Sequence, residues 1–179
     1  MGCELALALS LMVPQKGVVC MDMDERAERA RNNFQMGYNC PQSVVHAFDD
    51  ILEANGVDPD TALRLASPFG GGMGRLREVC GAVTGMFMIL GLMEGFSDPE
   101  EYDGKAALYE DAQRLAEKFR RQQGSILCRE LLGLSEGPSE SAPERRTQAY
   151  YESRPCAELC ACAAKLVAET TRNEKETCQ

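Results

Sequence analysis

Cys40, Cys80, Cys128 and Cys156 each fall where the neighbouring residues predict the opening turn of a helix. A helix start offers unpaired N–H groups and the positive end of the macrodipole, which favour anions. A thiol there is expected to ionise more readily than usual, and a thiolate is a nucleophile and a metal ligand. Four such thiols on separate helices would suit redox chemistry or metal binding at one shared sulfur site. The competing account of any one cysteine is burial as a small apolar side chain. Arg77 lies three residues before Cys80, Arg129 directly follows Cys128, and Arg154 precedes Cys156 by two. Guanidinium groups so placed would offset negative charge on sulfur, such as the charge of about −2 on two ferric ions, two sulfides and four thiolates.

Other chemistries find little support. No CxxC or CxxCH occurs, so a thioredoxin-type pair, a zinc ribbon and covalent haem attachment are not indicated. His46 is the single histidine, so a zinc site would need an all-thiolate or carboxylate-bearing set. Met73, Met86, Met88 and Met93 read as core filling. Cys160, one turn beyond Cys156, shares its helix face and reads as core packing, with an auxiliary or resolving role as the alternative. Cys162 lies on another face. Cys3, Cys20 and Cys178 fall in predicted terminal segments and take no role. The run Gly70-Gly71-Gly72-Met73-Gly74 lacks the Lys-Ser/Thr ending of a phosphate loop, and no strand is predicted before it. Its glycines instead permit positive φ and close backbone approach.

The elements that must position these thiols are helices. Ala, Leu and Met dominate the apolar residues, aromatics make up 6%, and there is no Trp. The pattern predicts an all-α protein: a compact bundle of six to seven helices around a central buried helix at about 78–93. Asp24 is the expected cap of the first helix. Asn39 caps the second, with Pro41 in its first turn and Gln42 as capping-box partner. Asp58 caps the third. The central helix is apolar around nearly its whole circumference, and Gly81, Gly85 and Gly91 would admit close neighbours. Ser97-Asp98-Pro99-Glu100 starts a fifth helix reaching Gln123, Ser125 caps a short sixth containing Cys128, and Ser153 caps the last. Residues 134–149 read as a mobile surface loop.

The 179 residues suit one domain at 21–172, preceded by an extension at 1–20 and followed by a charged tail at 173–179. Leu5 to Val13 is a short apolar run without the basic leader of a signal peptide. Nine cysteines, an odd number at wide spacing, fit a reducing cytoplasm better than a secreted disulfide framework. A net charge of −9 argues against nucleic acid and anionic membranes as partners. The partners to expect are an unidentified redox protein and, as an open alternative, a second copy in a homodimer.

Tyr38-Asn39-Cys40-Pro41-Gln42-Ser43-Val44, Phe69-Gly70-Gly71-Gly72-Met73-Gly74, Cys80-Gly81-Ala82-Val83-Thr84-Gly85 and Cys128-Arg129-Glu130-Leu131-Leu132-Gly133 together resemble the C_GCAxxG_C_C family of redox-active proteins. The resemblance runs from about Glu25 to Val167. The family's fourth cysteine precedes a Leu-Val pair; here Cys156-Ala157-Glu158-Leu159 fits, with Cys160 in place of the Val. The family is also similar to the cluster-bearing part of split-Soret cytochromes, whose haem part has no counterpart here. What the resemblance implies is an iron–sulfur cluster, of [2Fe–2S] type, ligated by Cys40, Cys80, Cys128 and Cys156. The glycine loop and Gly81 would then bring backbone N–H groups to its sulfides. The activity implied is electron transfer or redox sensing. A metal-free thiol–disulfide oxidoreductase and a structural zinc module remain the alternatives. An enzyme acting on a small substrate is least indicated, because no acid–base set accompanies the thiols.

Overall fold

The computed structural model describes residues 21–176, side chains beyond Thr170 excepted; the expected N-terminal extension, the last residues of the tail, and Cys3, Cys20 and Cys178 lie outside this description. The chain is all-α. Helix α1 is Met23–Gln35, capped by Asp22 and not by Asp24, with Glu25 closing a capping box. Asn39 and Gln42 form the predicted box on α2, Cys40–Val45, with Pro41 in its first turn. A 3₁₀ turn at His46–Phe48 then leads into α3, Asp49–Ala54, so the expected second helix is two helices. Asp58 caps α4, Pro59–Ala66, as anticipated.

The glycine run forms one turn, α5, Gly70–Met73, in which Gly71 and Gly72 are left-handed. Helix α6, Gly81–Glu94, starts three residues later than predicted, with Cys80 as its N-cap residue. The delay arises because Glu78 to Cys80 hydrogen-bonds elsewhere. Val79 and Leu127 form an isolated antiparallel bridge, Cys80 N–H donates to Ile126 O at 2.8 Å, and Cys128 N–H donates to Glu78 O at 2.7 Å. Helix α7, Tyr102–Gln123, also starts late: Asp98 Oδ1 accepts from Glu100 N–H in a local turn instead of capping a helix. Next come α8, Cys128–Leu131, and α9, Gln148–Glu152, with Ser153 closing α9 rather than opening the last helix. That helix, α10, begins at Cys156 and continues to Glu176, into the stretch expected to be a charged tail.

The core is formed by α1, α2, α6, α7 and α10. Its largest buried side chains include Phe34, Phe48, Met86, Ile89, Leu90, Phe119 and Leu166. Truncation of Phe34 or Phe119 to Ala would cost about 3–5 kcal/mol. Helix α1 lies along α10, and α6 packs on α2 and α10. Gly81 and Gly85 set how closely α6 meets α2: a Cβ on Gly81 would fall 2.6 Å from Pro41 Cδ, and one on Gly85 would fall 2.9 Å from Val44 Cβ. Gly91 does not share that role, because it is exposed and nothing lies within 4 Å of its Cβ position. Among the methionines, Met86 fills the core and Met88 and Met93 pack against it. Met73 does not: it sits on the glycine turn, 37% exposed. Among the described residues no helix is long and apolar enough to cross a membrane.

Candidate functional site

The four cysteines do sit at helix starts, and those starts converge. Cys40, Cys128 and Cys156 are the first residues of α2, α8 and α10, while Cys80 caps α6. Local chemistry fixes three of them. The Asn39–Gln42 box and Pro41 hold Cys40 in a first turn. The short bridge at Val79 and Leu127 lays the segments bearing Cys80 and Cys128 side by side. Ser125 Oγ accepts from Leu127 N–H at 3.0 Å and donates to Glu130, which tightens the turn before Cys128. Close packing at Gly81 brings Cys40 against α6, since a Cβ there would also approach Cys40 Cβ to 3.0 Å. Gly81 therefore serves helix packing directly beside two of the thiols.

The Cys40 thiol is hydrogen-bonded to those of Cys156 and Cys160 and feels the charge of Cys80. Cys80 in turn senses Cys128 and Cys156. Cys160 is fully buried and its Sγ donates to the Cys40 carbonyl at 3.5 Å, so its core position also abuts the site. Cys162 lies apart, with Sγ 3.2 Å from Gln122 Oε1. His46 is also elsewhere, paired through Nδ1 with Asp49 at 2.8 Å. The six described cysteines are all free thiols.

Burial reverses the acidity expected of helix-start thiols. Desolvation pushes Cys80 up to about 12, although the N–H groups of Ala82 and Val83 pull the other way as a helix start should. Cys128 is raised by burial and partly brought back by Arg77. The bond with Cys156 draws Cys40 down, but the Cys160 contact and burial outweigh it and leave Cys40 well above the ordinary range. Cys156 is raised by its bond to Cys40 and by burial, and Cys160 by burial. Together these groups form a cluster of neutral thiols.

The Gly70–Arg77 loop forms the adjoining wall and is strained. Gly71, Gly72, Met73, Gly74, Arg75 and Arg77 all have positive φ, three of them without the freedom of glycine. A left-handed L-residue costs roughly 1–2 kcal/mol, so about 3 kcal/mol or more is held here by surrounding contacts. Gly72 is required for space as well: a Cβ would fall 2.6 Å from Cys128 Cβ. The strained backbone directs Arg77 not to Cys80, its sequence neighbour, but to Cys128, with Nη1 3.8 Å from Sγ.

Residues 134–149 are not a free loop where they meet this wall. Ser139 N–H donates to Arg75 O at 3.0 Å, Arg75 Nε donates to Glu140 O at 2.5 Å, and Arg77 Nε donates to Ser139 Oγ at 2.7 Å. Their far end delivers Arg146, whose guanidinium lies 4.5 Å over the Phe34 ring and donates to Phe34 O at 3.0 Å. Arg154 stacks 4.6 Å over Tyr150 and pairs with both oxygens of Glu144. Arg129 turns away and pairs with Glu78 at 2.9 Å. A cavity of about 240 Å³ opens between Cys40, Cys128 and Cys156 on one side and Arg75, Arg77, Arg146 and Arg154 on the other. Arg75 and Arg146 are the contributors that the sequence reading missed. The signal for Arg146 was the pair Arg145-Arg146 in a stretch read as surface loop, and that for Arg75 its place directly after the glycine run.

The donor set fits an iron–sulfur cluster, which is held by thiolates. The four helix-start sulfurs are near one another and unpaired as disulfides, three of them buried and Cys40 half-buried. Among the described residues, no three His, Cys, Asp or Glu side chains are arranged to grip a single metal ion. The direct Cys40–Cys156 contact is also the kind of juxtaposition that a reversible disulfide requires.

No curated protein and no solved structure shows a significant match to the chain. A family model does match, over residues 38–170, a span containing all four helix-start cysteines, the glycine turn and the arginine wall. The chain belongs to the family described as "Putative redox-active protein (C_GCAxxG_C_C)".

Proposed function

We propose that this redox-active protein carries electrons, or senses redox state, through an iron–sulfur cluster of [2Fe–2S] type held by Cys40, Cys80, Cys128 and Cys156. The observation that supports the reading is that four thiols from helix starts widely separated along the chain lie within one another's electrostatic influence, three of them on one cavity. When bound, such a cluster supplies a one-electron couple, its potential set by burial, hydrogen bonds to sulfur and nearby charge. The chain's own residues supply those influences. Arg77 sets a positive charge against Cys128, the N–H groups of Ala82 and Val83 face Cys80, and Gly72 and Gly81 leave room for close approach. Crowded neutral thiols give up their protons when a metal supplies the compensating positive charge, so loading is coupled to proton release. A reducing cytoplasm and a redox partner protein suit this role, and self-association into a homodimer is compatible with it.

Protein purified without oxygen should be brown, with visible absorption that dithionite bleaches. Cys40→Ser, Cys80→Ser, Cys128→Ser and Cys156→Ser should each abolish most of that absorption, whereas Cys162→Ser should retain it. Colourless wild-type protein would overturn the reading.

The Cys40–Cys156 contact favours one other reading, a metal-free thiol–disulfide couple. There the two thiols would lose two protons and two electrons to a disulfide-bearing partner as the Sγ–Sγ bond forms. Both thiols ionise only above the ordinary thiol range, which counts against them as resting nucleophiles. Alkylation and mass spectrometry with and without reductant separate the readings, because a reversible loss of two hydrogens by metal-free protein selects the second.

A further inference from the structure

We infer that the cavity beside the thiols is a binding site for a small dianion, a molecule bearing carboxylate, phosphate or sulfonate groups held by Arg75, Arg146 and Arg154. Four guanidinium groups line this cavity and one carboxylate, Glu144, answers them, in a chain whose net charge is −9. Glu144 is shared: Arg154 holds both its oxygens, and Arg75 stands 3.5 Å from one of them. Neither Arg77 nor Arg146 forms an ion pair among the described residues, although Arg77 is only 3% exposed. Arg146 is held in place by the Phe34 carbonyl and the rings of Phe34, Tyr150 and Tyr151, none of which cancels its charge.

Burying the charge of Arg77 without an anion is costly, and the planar forks of the half-buried Arg75, Arg146 and Arg154 match the oxygens of carboxylate, phosphate and sulfonate. The strained backbone at Arg75 and Arg77 holds two of these groups on the cavity wall. At about 240 Å³ the cavity is below the roughly 300–1,000 Å³ typical of pockets for larger organic ligands. That size suits a small metabolite. The inference rests on the redox reading only in making the anion the molecule that the sulfurs meet; the binding itself is measurable either way.

Inorganic sulfate, which is inert toward thiols, is the probe. Calorimetric titration of the full chain in low-salt buffer without oxygen should show one saturable site, before and after removal of iron and sulfide. Arg146→Gln should weaken it by about tenfold or more, the size expected for losing a hydrogen bond to a charged group. Glu144→Gln should tighten it several-fold, a gain that misfolding cannot produce. Absence of saturable binding in both forms would overturn the site. Binding confined to the iron-free form would also overturn it, since the arginines would then be counter-charges of the cluster. Iron and sulfide assays on the same samples judge the cluster separately.

Discussion

Arg26 and Arg77 are buried to the same degree, each 3% exposed, yet the molecule treats their charges in opposite ways. Arg26 extends from the ordinary helix α1, donates to both oxygens of Asp50 at 2.5 and 2.7 Å and to Ala47 O at 2.6 Å, and lies 4.6 Å over Phe48. Arg77 stands on a left-handed backbone and reaches a serine hydroxyl and a neutral thiol, with no carboxylate in ion-pair reach among the described residues. Charge answered within the fold, as at Arg26, is structural. Charge left facing a cavity, on strained backbone, is held for something that arrives. The contrast separates the structural ion pair between α1 and α3 from the site around the glycine turn.

Breaking the scaffold pair should have the largest effect. Arg26→Ala strands Asp50 beside a buried gap and should cost about 3–5 kcal/mol in urea unfolding. If cluster loading per folded molecule also changed, the separation between the ion pair and the site would fail.

The two regions should also respond to pH in opposite directions. Burial alone would raise Asp50, but its bond to Arg26 holds the carboxyl below the usual range. Its contribution is therefore present above that range and lost as pH falls. The thiols are raised, Cys80 to about 12, so their contribution is complete below about pH 9 and lost as pH climbs toward 12. In metal-free protein, Arg26→Ala should flatten the acid limb of the stability profile and leave the alkaline limb. An alkaline limb that also flattened would contradict the assignment.

The smallest effect on stability is expected at Arg77. Arg77→Gln removes a buried charge that has no carboxylate partner, so metal-free protein should change by less than about 1 kcal/mol. In cluster-loaded protein the visible absorption, or the midpoint of a redox titration, should shift nonetheless. A loss comparable to that of Arg26→Ala would make Arg77 another structural ion.

The placing of the thiols was partly legible in the sequence. Asn39, Pro41 and Gln42 announce a helix start by capping chemistry, so Cys40 could be placed from local residues alone; Cys128 and Cys156 also open helices, but Leu127 rather than Ser125 precedes the first and Ser153 ends α9 instead of capping the second. Acidity could not be read in the same way. Helix-start N–H groups do lower Cys80, but how deeply it is buried depends on α2 and α10, which lie far away in the chain. The bridge at Val79 and Leu127 involves single residues and carries no alternating pattern. Arg75 and Arg146 were missed because Gly-rich and Ser/Pro-rich stretches look alike whether they are loose or are stitched to a wall, as at Ser139 and Arg75.

The central claim is that the helix-start sulfurs act together on one inorganic centre, and iron and acid-labile sulfide measured on protein isolated without oxygen test it most directly. The account predicts about two of each per chain, falling together in Cys80→Ser protein. Wild-type protein with neither element, even after anaerobic reconstitution with ferrous iron and sulfide, would contradict it.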